Sequence, residues 1–395
     1  YVNLASALVQ ADRQEEAVAG YQRAIELDPY NPDLHHWFNG YLGVIGHPDY
    51  LCSYRDALAR RPDSAPLATS LARKLLLNGQ GDNARRVLDD TLDYVQDDRA
   101  RASIYRELSH VLRETEQFDE AVEHARRAQR ADAENGAVLE EFATALMAAG
   151  HYESALAQLC SLLETRPYDQ SLLALYATAL RYNNRLEQYR ELVDYDRMVQ
   201  TRFVEPPSTF HARADFVEYA RTALLALHTT RQHPVEQSMV HGTQTLDDLL
   251  SRRDDAVVAL RHALYQQVSV LAKNLPQDSS HPLLARCGSD IAFSDSWSVV
   301  LRQQGYHKNH FHSEGWLSSA FYLWIPDAVN HGRGEGWIKF GEPGFKAREP
   351  LSAEYWVKPV EGALVVFPSY LWHGTEPLTT ASQRMTVGYD VVPIT

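Results

Sequence analysis

The chain has 395 residues, of which 45% are hydrophobic, so two or three domains with substantial cores are expected. The formal net charge of −14 disfavours nucleic acid as a partner, because phosphate binding needs clustered lysine and arginine. No apolar run is long enough to predict a membrane span. The three widely separated cysteines form no paired motif, so a cytoplasmic protein without disulfides is expected.

Residues 1–200 are predicted to form an array of helical hairpins. Small and aromatic residues recur at intervals of about 34 residues, as they do where antiparallel helices pack closely. The recurring positions of the first, fourth and fifth units are Ala5, Ala17, Tyr21, Ala24, Ser109, Ala121, Ala125, Ala128, Ala143, Ala155 and Leu159. Phe38 replaces the small residue in the second unit, which predicts a distortion there. A partial sixth unit is expected around Ala177.

Two turns between these helices resemble a known repeat. The segments Asp12-Arg-Gln-Glu-Glu-Ala17 and Glu116-Gln-Phe-Asp-Glu-Ala121 are similar to the inter-helix turn of the tetratricopeptide repeat. The resemblance implies an α-solenoid that orients a neighbouring domain, forms a homodimer, or binds a peptide or protein segment in its groove. The sequence leaves these roles open.

Residues 201–289 are predicted to form a helical connector. Pro206-Pro207 marks its beginning, because adjacent prolines end a helical array. Two helical stretches between about 210 and 275 are expected to pack on the outside of a following sheet. The segment His241-Gly-Thr-Gln-Thr245 is predicted to be a polar turn in which His241 is not a metal ligand.

Residues 290–395 are predicted to form a β-domain, because short runs rich in tryptophan, tyrosine, valine and isoleucine alternate with turn residues. This spacing suits a jelly roll, of which the double-stranded β-helix is one form. Trp316 and Trp372 are expected to wall a substrate pocket. The predicted strands are 297–302, 317–324, 337–340, 355–358, 363–367 and 384–391.

Three histidines in this domain suggest a metal site. His310 and His312 lie one residue apart in a segment predicted to be extended, so their side chains point to the same side. With His373 they could occupy one face of an iron coordination sphere and leave positions for substrate and O₂. An alternative set replaces His310 with Glu314, since His312-Ser-Glu314 is also a His-x-Glu pair. His307 is expected beside the site rather than on the metal.

A cationic residue follows the third histidine on the next predicted strand. Arg384 can hold a carboxylate with two hydrogen bonds, and Thr386 lies on the same strand face. Tyr322, on the strand after the paired histidines, could donate its phenol to the same carboxylate. These three residues are the predicted cosubstrate-binding set.

The segments 305–323 and 361–375, followed by Arg384, resemble a group of 2-oxoglutarate/iron(II) oxygenases. Members of that group often carry tetratricopeptide repeats at the N-terminus. The resemblance implies a multidomain α + β protein, with a solenoid followed by a double-stranded β-helix and flanking helices. It favours His310, His312 and His373 as Fe(II) ligands, because the group's motif has the paired histidines. Arg384 and Thr386 match the pair that holds 2-oxoglutarate.

The expected activity is hydroxylation of a peptide, protein or small molecule by Fe(II), O₂ and 2-oxoglutarate, with succinate and CO₂ as co-products. One alternative is a three-histidine iron dioxygenase that does not use 2-oxoglutarate, in which Arg384 binds the carboxylate of the substrate. A second is a non-catalytic adaptor that combines a degenerate barrel with a peptide-binding solenoid.

Overall fold

The computed structural model describes residues 1–10, 13–228, 238–245, 248–287, 290–331, 334–379 and 382–394. The chain divides into two compact units, which are described separately. The first consists of Tyr1–Ala155 and Phe345–Pro350, and the second of Leu156–Gly344 and Leu351–Thr395. Within the described ranges, no helix is both long and apolar enough to cross a membrane.

Helical hairpins fill the first unit and continue into the second. The small residues that recur in the sequence are buried where the helices meet, and Ala5, Ala17, Ala121 and Ala155 have no exposed surface. The predicted tetratricopeptide-like array is therefore confirmed. Its helices are α1 (Val2–Gln10), α2 (Gln14–Leu27), α3 (Pro32–Val44), α4 (Cys52–Arg60), α5 (Ala65–Leu77), α6 (Gly81–Leu92), α7 (Asp98–Glu114), α8 (Phe118–Ala131), α9 (Gly136–Ala148), α10 (Tyr152–Thr165), α11 (Gln170–Tyr182) and α12 (Leu186–Leu192).

Short polar side chains begin several first helices of the hairpins. Asn31, Asp97, Asn135 and Asp169 each accept a hydrogen bond from a backbone N–H in the first turn of the following helix. Such caps satisfy N–H groups that have no partner within the helix. The same kind of cap therefore recurs before α3, α7, α9 and α11, whereas Ser64 before α5 makes no such bond.

The second hairpin departs from the others, as Phe38 predicts. Helix α4 has 9 residues, whereas α2 and α8 each have 14. Phe38 is buried and packs on Tyr21 with 6.1 Å between ring centroids, so it fills space that a small residue leaves open elsewhere. Tyr50, at the position equivalent to Ala17, lies in the turn before α4 rather than in the helix.

The segment 345–350 belongs to the first unit, although it lies far from the helices in sequence. The backbone N–H of Arg348 donates to the carbonyl of Ala148, and its guanidinium donates to Asp119 at 3.0 Å. Lys346 donates to the carbonyl of Glu114 at 2.8 Å. The segment is thus bonded to the last residues of α7 and α9 and to the first turn of α8.

The second unit combines helices with two antiparallel sheets. Its helices beyond α12 are α13 (Tyr195–Met198), α14 (Arg213–Leu225), α15 (Asp255–Asn274) and α16 (Ala328–His331). Its strands are β1 (Gln200–Phe203), β2 (Met239–Gln244), β3 (Asp290–His307), β4 (Leu317–Trp324), β5 (Ile338–Phe340), β6 (Tyr355–Val357), β7 (Ala363–Pro368), β8 (His373–Thr375) and β9 (Arg384–Ile394). The larger sheet has the order β1-β7-β4-β9-β3-β2 and the smaller has β6-β5-β8. A helical repeat array followed by an antiparallel β-domain confirms the predicted fold class.

Three of these strands, β1, β2 and β8, were not predicted. β1 pairs with β7, and β2 pairs with β3, so the larger sheet recruits strands from the predicted helical connector. The polar turn predicted for 241–245 is wrong, because residues 239–244 form β2. A register shift between Val240 and Gly242 and a positive φ of 53° at His241 break the alternation that identifies a strand. His241 is exposed and does not belong to the group of three histidines that could hold a metal ion.

Helices α11 and α12 share their core with the sheets. Leu173 and Tyr189 belong to the same buried apolar cluster as Phe367 on β7. The indole N–H of Trp372 donates to the hydroxyl of Thr178 on α11 at 3.0 Å. The hairpin predicted as a partial sixth repeat is therefore packed as part of the β-containing unit.

Candidate metal and cosubstrate site

One face of β9 forms the floor of a cavity in the second unit. Alternate residues of a strand share a face, so Arg384, Thr386, Gly388 and Asp390 point the same way. Thr386 lies opposite Tyr322 on β4 in the antiparallel register. The cavity has a volume of about 350 Å³, and Arg384, Thr386 and Tyr322 line it together with His307, His310, His312 and His373.

Backbone pairing brings the three predicted histidines together. His310 and His373 form an isolated antiparallel bridge, in which each backbone N–H donates to the other's carbonyl at 2.8 Å. The N–H of His312 donates to the carbonyl of Ser369 at 2.9 Å. One ring nitrogen from each histidine lies within 4.8 Å of the other two. The segment holding His310 and His312 lies outside the named strands, and of the two only His310 forms a bridge.

Each of the three rings has an acceptor for its Nδ1 hydrogen. Nδ1 of His310 lies 2.8 Å from the carbonyl of Lys308, and Nδ1 of His373 lies 2.9 Å from that of Leu371. Nδ1 of His312 lies 2.7 Å from the carboxylate of Asp390. Because these acceptors carry no hydrogen, Nδ1 must be the donor in each pair. The lone pair of each neutral ring is therefore on Nε2, which is the arrangement found in histidine metal ligands.

Burial favours the neutral form of His310 and His373. Burial, with a smaller effect from the neighbouring His312, lowers the pKa of His310 to about 3. Burial, followed by the effects of His310 and His312, holds the pKa of His373 well below its ordinary value. Uncharged imidazoles with free lone pairs are the form that binds a metal cation.

Glu314 and His307 lie outside the cluster. Glu314 is exposed, and its carboxylate accepts a hydrogen bond from Ser313 at 3.1 Å. The structure therefore does not bring together the alternative set that uses Glu314. The ring of His307 lies 6.1 Å from that of His310, and its Nδ1 is 3.1 Å from the hydroxyl of Ser238. His307 lines the cavity without joining the three-histidine group.

The prediction that Trp316 and Trp372 wall the substrate pocket is wrong. Trp316 is buried and donates its indole N–H to the carbonyl of Leu283, and Trp372 donates to Thr178. Both rings are directed into the protein core rather than to the cavity. Trp297 lines the cavity instead, with its ring centroid 5.4 Å from that of His312. Its strand was predicted, but its place beside the histidines depends on pairing with β9.

Arg384 is a buried cation, and one of its guanidinium nitrogens has no hydrogen-bond partner among the described residues. It is 2% exposed, and its Nη1 donates to the carbonyl of Gly336. Its Nε has no hydrogen-bond partner, and no ion pair engages the guanidinium in the part of the chain that the structure describes. Burial lowers the pKa of Arg384, which measures the cost of keeping the charge there. An unpaired charge in such a place favours an anionic ligand.

Tyr322 and Thr386 place hydroxyl groups in the same cavity. The guanidinium carbon of Arg384 lies 6.0 Å from the centre of the Tyr322 ring. Burial raises the pKa of Tyr322 to about 12, although the nearby arginine opposes this. The phenol therefore keeps its proton at neutral pH and can donate a hydrogen bond to a bound carboxylate.

Asp390 was missed in the sequence, although a signal was present. Arg384, Thr386, Gly388 and Asp390 are polar or small residues at alternate positions of an otherwise apolar strand. A buried strand with a polar face indicates a site rather than a core. The pattern could have extended the predicted site to Asp390.

Helical hairpins joined to an antiparallel β-domain, with a histidine cluster beside a buried arginine, define a repeat protein with a candidate metal centre. Residues 295–390 match the model of the family described as "Putative 2OG-Fe(II) oxygenase". Residues 1–31 match the tetratricopeptide repeat model. Residues 295–390 are thus similar to the 2OG-Fe(II) oxygenase family, and residues 1–31 are similar to the tetratricopeptide repeat. A search of curated proteins found no match.

Three solved structures are each similar to part of the chain. The type IV pilus biogenesis factor PilW is 18% identical, with a TM-score of 0.37, and the match covers 48% of this chain and 87% of PilW. A prolyl-4-hydroxylase from Pseudomonas putida is 16% identical, with a TM-score of 0.33 and coverage of 50% and 96%. The tetratricopeptide protein YrrB is 18% identical, with a TM-score of 0.33 and coverage of 45% and 91%.

Proposed function

We propose that this protein is an Fe(II)- and 2-oxoglutarate-dependent dioxygenase that hydroxylates a peptide, a protein or a small molecule. The observation that carries the proposal is the pairing of two features in one cavity. One ring nitrogen from each of three imidazoles lies within 4.8 Å of the other two, and the buried guanidinium of Arg384 has a nitrogen without a partner. A metal ion fits the first feature and a dicarboxylate fits the second.

In this proposal His310, His312 and His373 hold Fe(II), and Arg384 with Thr386 and Tyr322 holds the distal carboxylate of 2-oxoglutarate. Bound iron would supply the reduction of O₂ coupled to decarboxylation, with one oxygen atom ending in succinate and the other in the hydroxylated substrate. The protein orients the reactants, keeps the imidazoles neutral, and holds a cation where the carboxylate must lie.

Anaerobic reconstitution with Fe(II) and 2-oxoglutarate tests the proposal directly. We expect a visible charge-transfer absorption only when both are present, and succinate formation after O₂ is admitted. His310→Ala should lose the absorption because it removes one ligand. A wild-type protein that binds Fe(II) but gives neither absorption nor succinate would contradict the use of 2-oxoglutarate.

The three-histidine set keeps a second candidate function open. A site without a carboxylate ligand also suits a dioxygenase that incorporates O₂ without 2-oxoglutarate, with Arg384 binding the substrate's own carboxylate. Succinate measurement separates the two, since only the first candidate forms succinate. A protein that binds no iron at all would instead favour the non-catalytic adaptor.

We also propose that the helical repeats bind a peptide or protein substrate segment. Support comes from the confirmed helical array, a fold that presents extended surfaces to such segments. A library of peptides, compared with free metabolites, tests the substrate class through the increase in succinate formation. Stimulation by free metabolites alone would contradict a peptide substrate.

A further inference from the structure

Asp390 is a buried carboxylate beside the three histidines, and among the described residues it has a single side-chain partner. It is 5% exposed, and its two oxygens lie 2.7 and 2.8 Å from Nδ1 of His312. In the ranges that the structure describes, no lysine or arginine pairs with it. Burial of an ionised carboxylate is costly unless other groups compensate it. The position therefore suggests a role beyond packing.

The surrounding chain leaves room for this contact. Asp390 lies opposite Ser318 in the register of β4 with β9. Gly315 follows closely after His312, and a Cβ atom there would lie 3.2 Å from both Cβ and Cγ of Asp390. The same Cβ would lie 2.4 Å from the hydroxyl oxygen of Ser369. A side chain at position 315 would therefore crowd the carboxylate that reaches the ring.

The three histidines differ in the charge of their acceptors. His310 and His373 donate to backbone carbonyls, which are neutral dipoles, whereas His312 donates to a carboxylate. The usual triad of non-haem iron oxygenases contains two histidines and one carboxylate, so three neutral imidazoles leave the ion with one more positive charge. A carboxylate hydrogen-bonded to a ligand histidine raises the basicity of that ligand.

We propose that Asp390 is a positioning residue that supplies, through His312, the negative charge that the ligand set itself lacks. It fixes the ring with Nδ1 as donor and Nε2 as ligand, and it strengthens the bond from Nε2 to the ion. The inference rests on the proposed function, because it needs an ion at His310, His312 and His373.

Asp390→Asn in the full chain separates charge from position, since the amide oxygen can still accept the Nδ1 hydrogen. We expect the dissociation constant for Co(II) to rise about 10- to 100-fold, the usual effect of losing such a partner. We also expect the Fe(III)/Fe(II) midpoint potential to rise, because less negative charge disfavours the ferric ion. A residue needed only for folding would lower the melting temperature without moving the potential of the folded protein.

Asp295→Asn is the matched control. Asp295 lies opposite Asp390 in the register of β3 with β9 and lines the same cavity. Its carboxylate is exposed and accepts from the N–H of Ser296 rather than from a histidine. The substitution removes the same charge from the same sheet face, but solvent screens it. We expect the Co(II) dissociation constant to change by less than about twofold, within the range of screened surface charges.

A double-mutant cycle tests whether Asp390 acts on the metal ion through His312. In a His312→Ala background, Asp390→Asn should weaken Co(II) binding much less than it does in the wild type. Asp390→Ser, a smaller neutral variant, must agree with Asp390→Asn and serves if the latter does not fold. Unchanged affinity and potential in a folded neutral variant would overturn the role of Asp390 alone. A wild type that binds neither Co(II) nor Fe(II) would overturn the proposed function and this role together.

Discussion

Arg384→Met should stabilise the protein without ligand and abolish its response to 2-oxoglutarate. The guanidinium is 2% exposed, its Nε has no partner, and among the described residues only the carbonyl of Gly336 accepts from it. A buried polar group without a partner costs about 1–3 kcal/mol, and a charged one costs more. Methionine fills similar space without that cost, so a gain of about 1–3 kcal/mol is expected after the loss of the Gly336 bond.

Arg384→Met should weaken the binding of 2-oxoglutarate, although it stabilises the protein without ligand. Charged hydrogen bonds contribute about 1.5–3 kcal/mol each, so losing two from the distal carboxylate weakens 2-oxoglutarate binding by at least about 100-fold. In the wild type, ligand at 100 times its dissociation constant adds about 2.7 kcal/mol of stability. Arg384→Met should retain at most about 0.4 kcal/mol of this gain, because the same ligand concentration no longer exceeds the weakened dissociation constant. Arg384→Lys should neither stabilise the free protein as much nor restore binding, because an ammonium lacks the planar fork.

Differential scanning calorimetry, with and without Fe(II) and 2-oxoglutarate under argon, measures both effects. Each kcal/mol corresponds to about 2–4 °C in melting temperature for a unit of this size. The reasoning would be refuted by a free Arg384→Met protein that melts below the wild type and is still stabilised by 2-oxoglutarate. That result would mean that the guanidinium already has adequate compensation and does not bind the cosubstrate.

His310→Ala should abolish tight Co(II) binding in a titration, whereas Glu314→Ala should leave it unchanged because that carboxylate is exposed and outside the cluster; the reverse result would restore the alternative ligand set. Tyr322→Phe should weaken 2-oxoglutarate binding about two- to tenfold in calorimetric titration, since a neutral hydrogen bond contributes about 0.5–1.5 kcal/mol. His228 bonds to two hydroxyl groups, and burial lowers its pKa to about 4 from an ordinary 6.5. Its neutral form therefore stabilises the fold at neutral pH, and this contribution is lost as the pH falls from about 6.5 to about 4. Thermal melts of His228→Gln should depend less on pH across that interval, and an unchanged dependence would contradict the assignment.

Local patterns in the sequence were sufficient for the repeat array. Small residues at fixed intervals predict where two neighbouring helices touch, and the structure buries Ala17 and Ala121 there. The partners of such residues lie in the same or the adjacent hairpin, so the information is close by in the chain. The same holds for β4, whose predicted bounds at 317–324 are those of the structure.

Features that depend on distant pairing were not predicted. The sequence of β1 shows little alternation of apolar and polar residues. It forms a strand because it pairs with β7 at the edge of the sheet. Trp316 and Trp372 were misplaced because neighbours in sequence need not face the same way when the backbone turns between them. Asp390 is more than seventy residues from His312 along the chain, and only the pairing of β9 with β4 brings the two together.

The hairpin of α11 and α12 repeats the pattern of the array but shares the buried cluster of the sheets. A hydrophobic core unfolds cooperatively, so the elements that share it exchange their amide hydrogens with similar free energies of opening. The amides of α11 should therefore be protected together with those of β4 and β7, and not with those of α3 or α5. Removing this hairpin would take away the carbonyl of Leu192, to which the buried hydroxyl of Tyr370 donates, and would expose part of the shared apolar cluster. We therefore expect the β-domain to need this piece of the repeat array in order to fold.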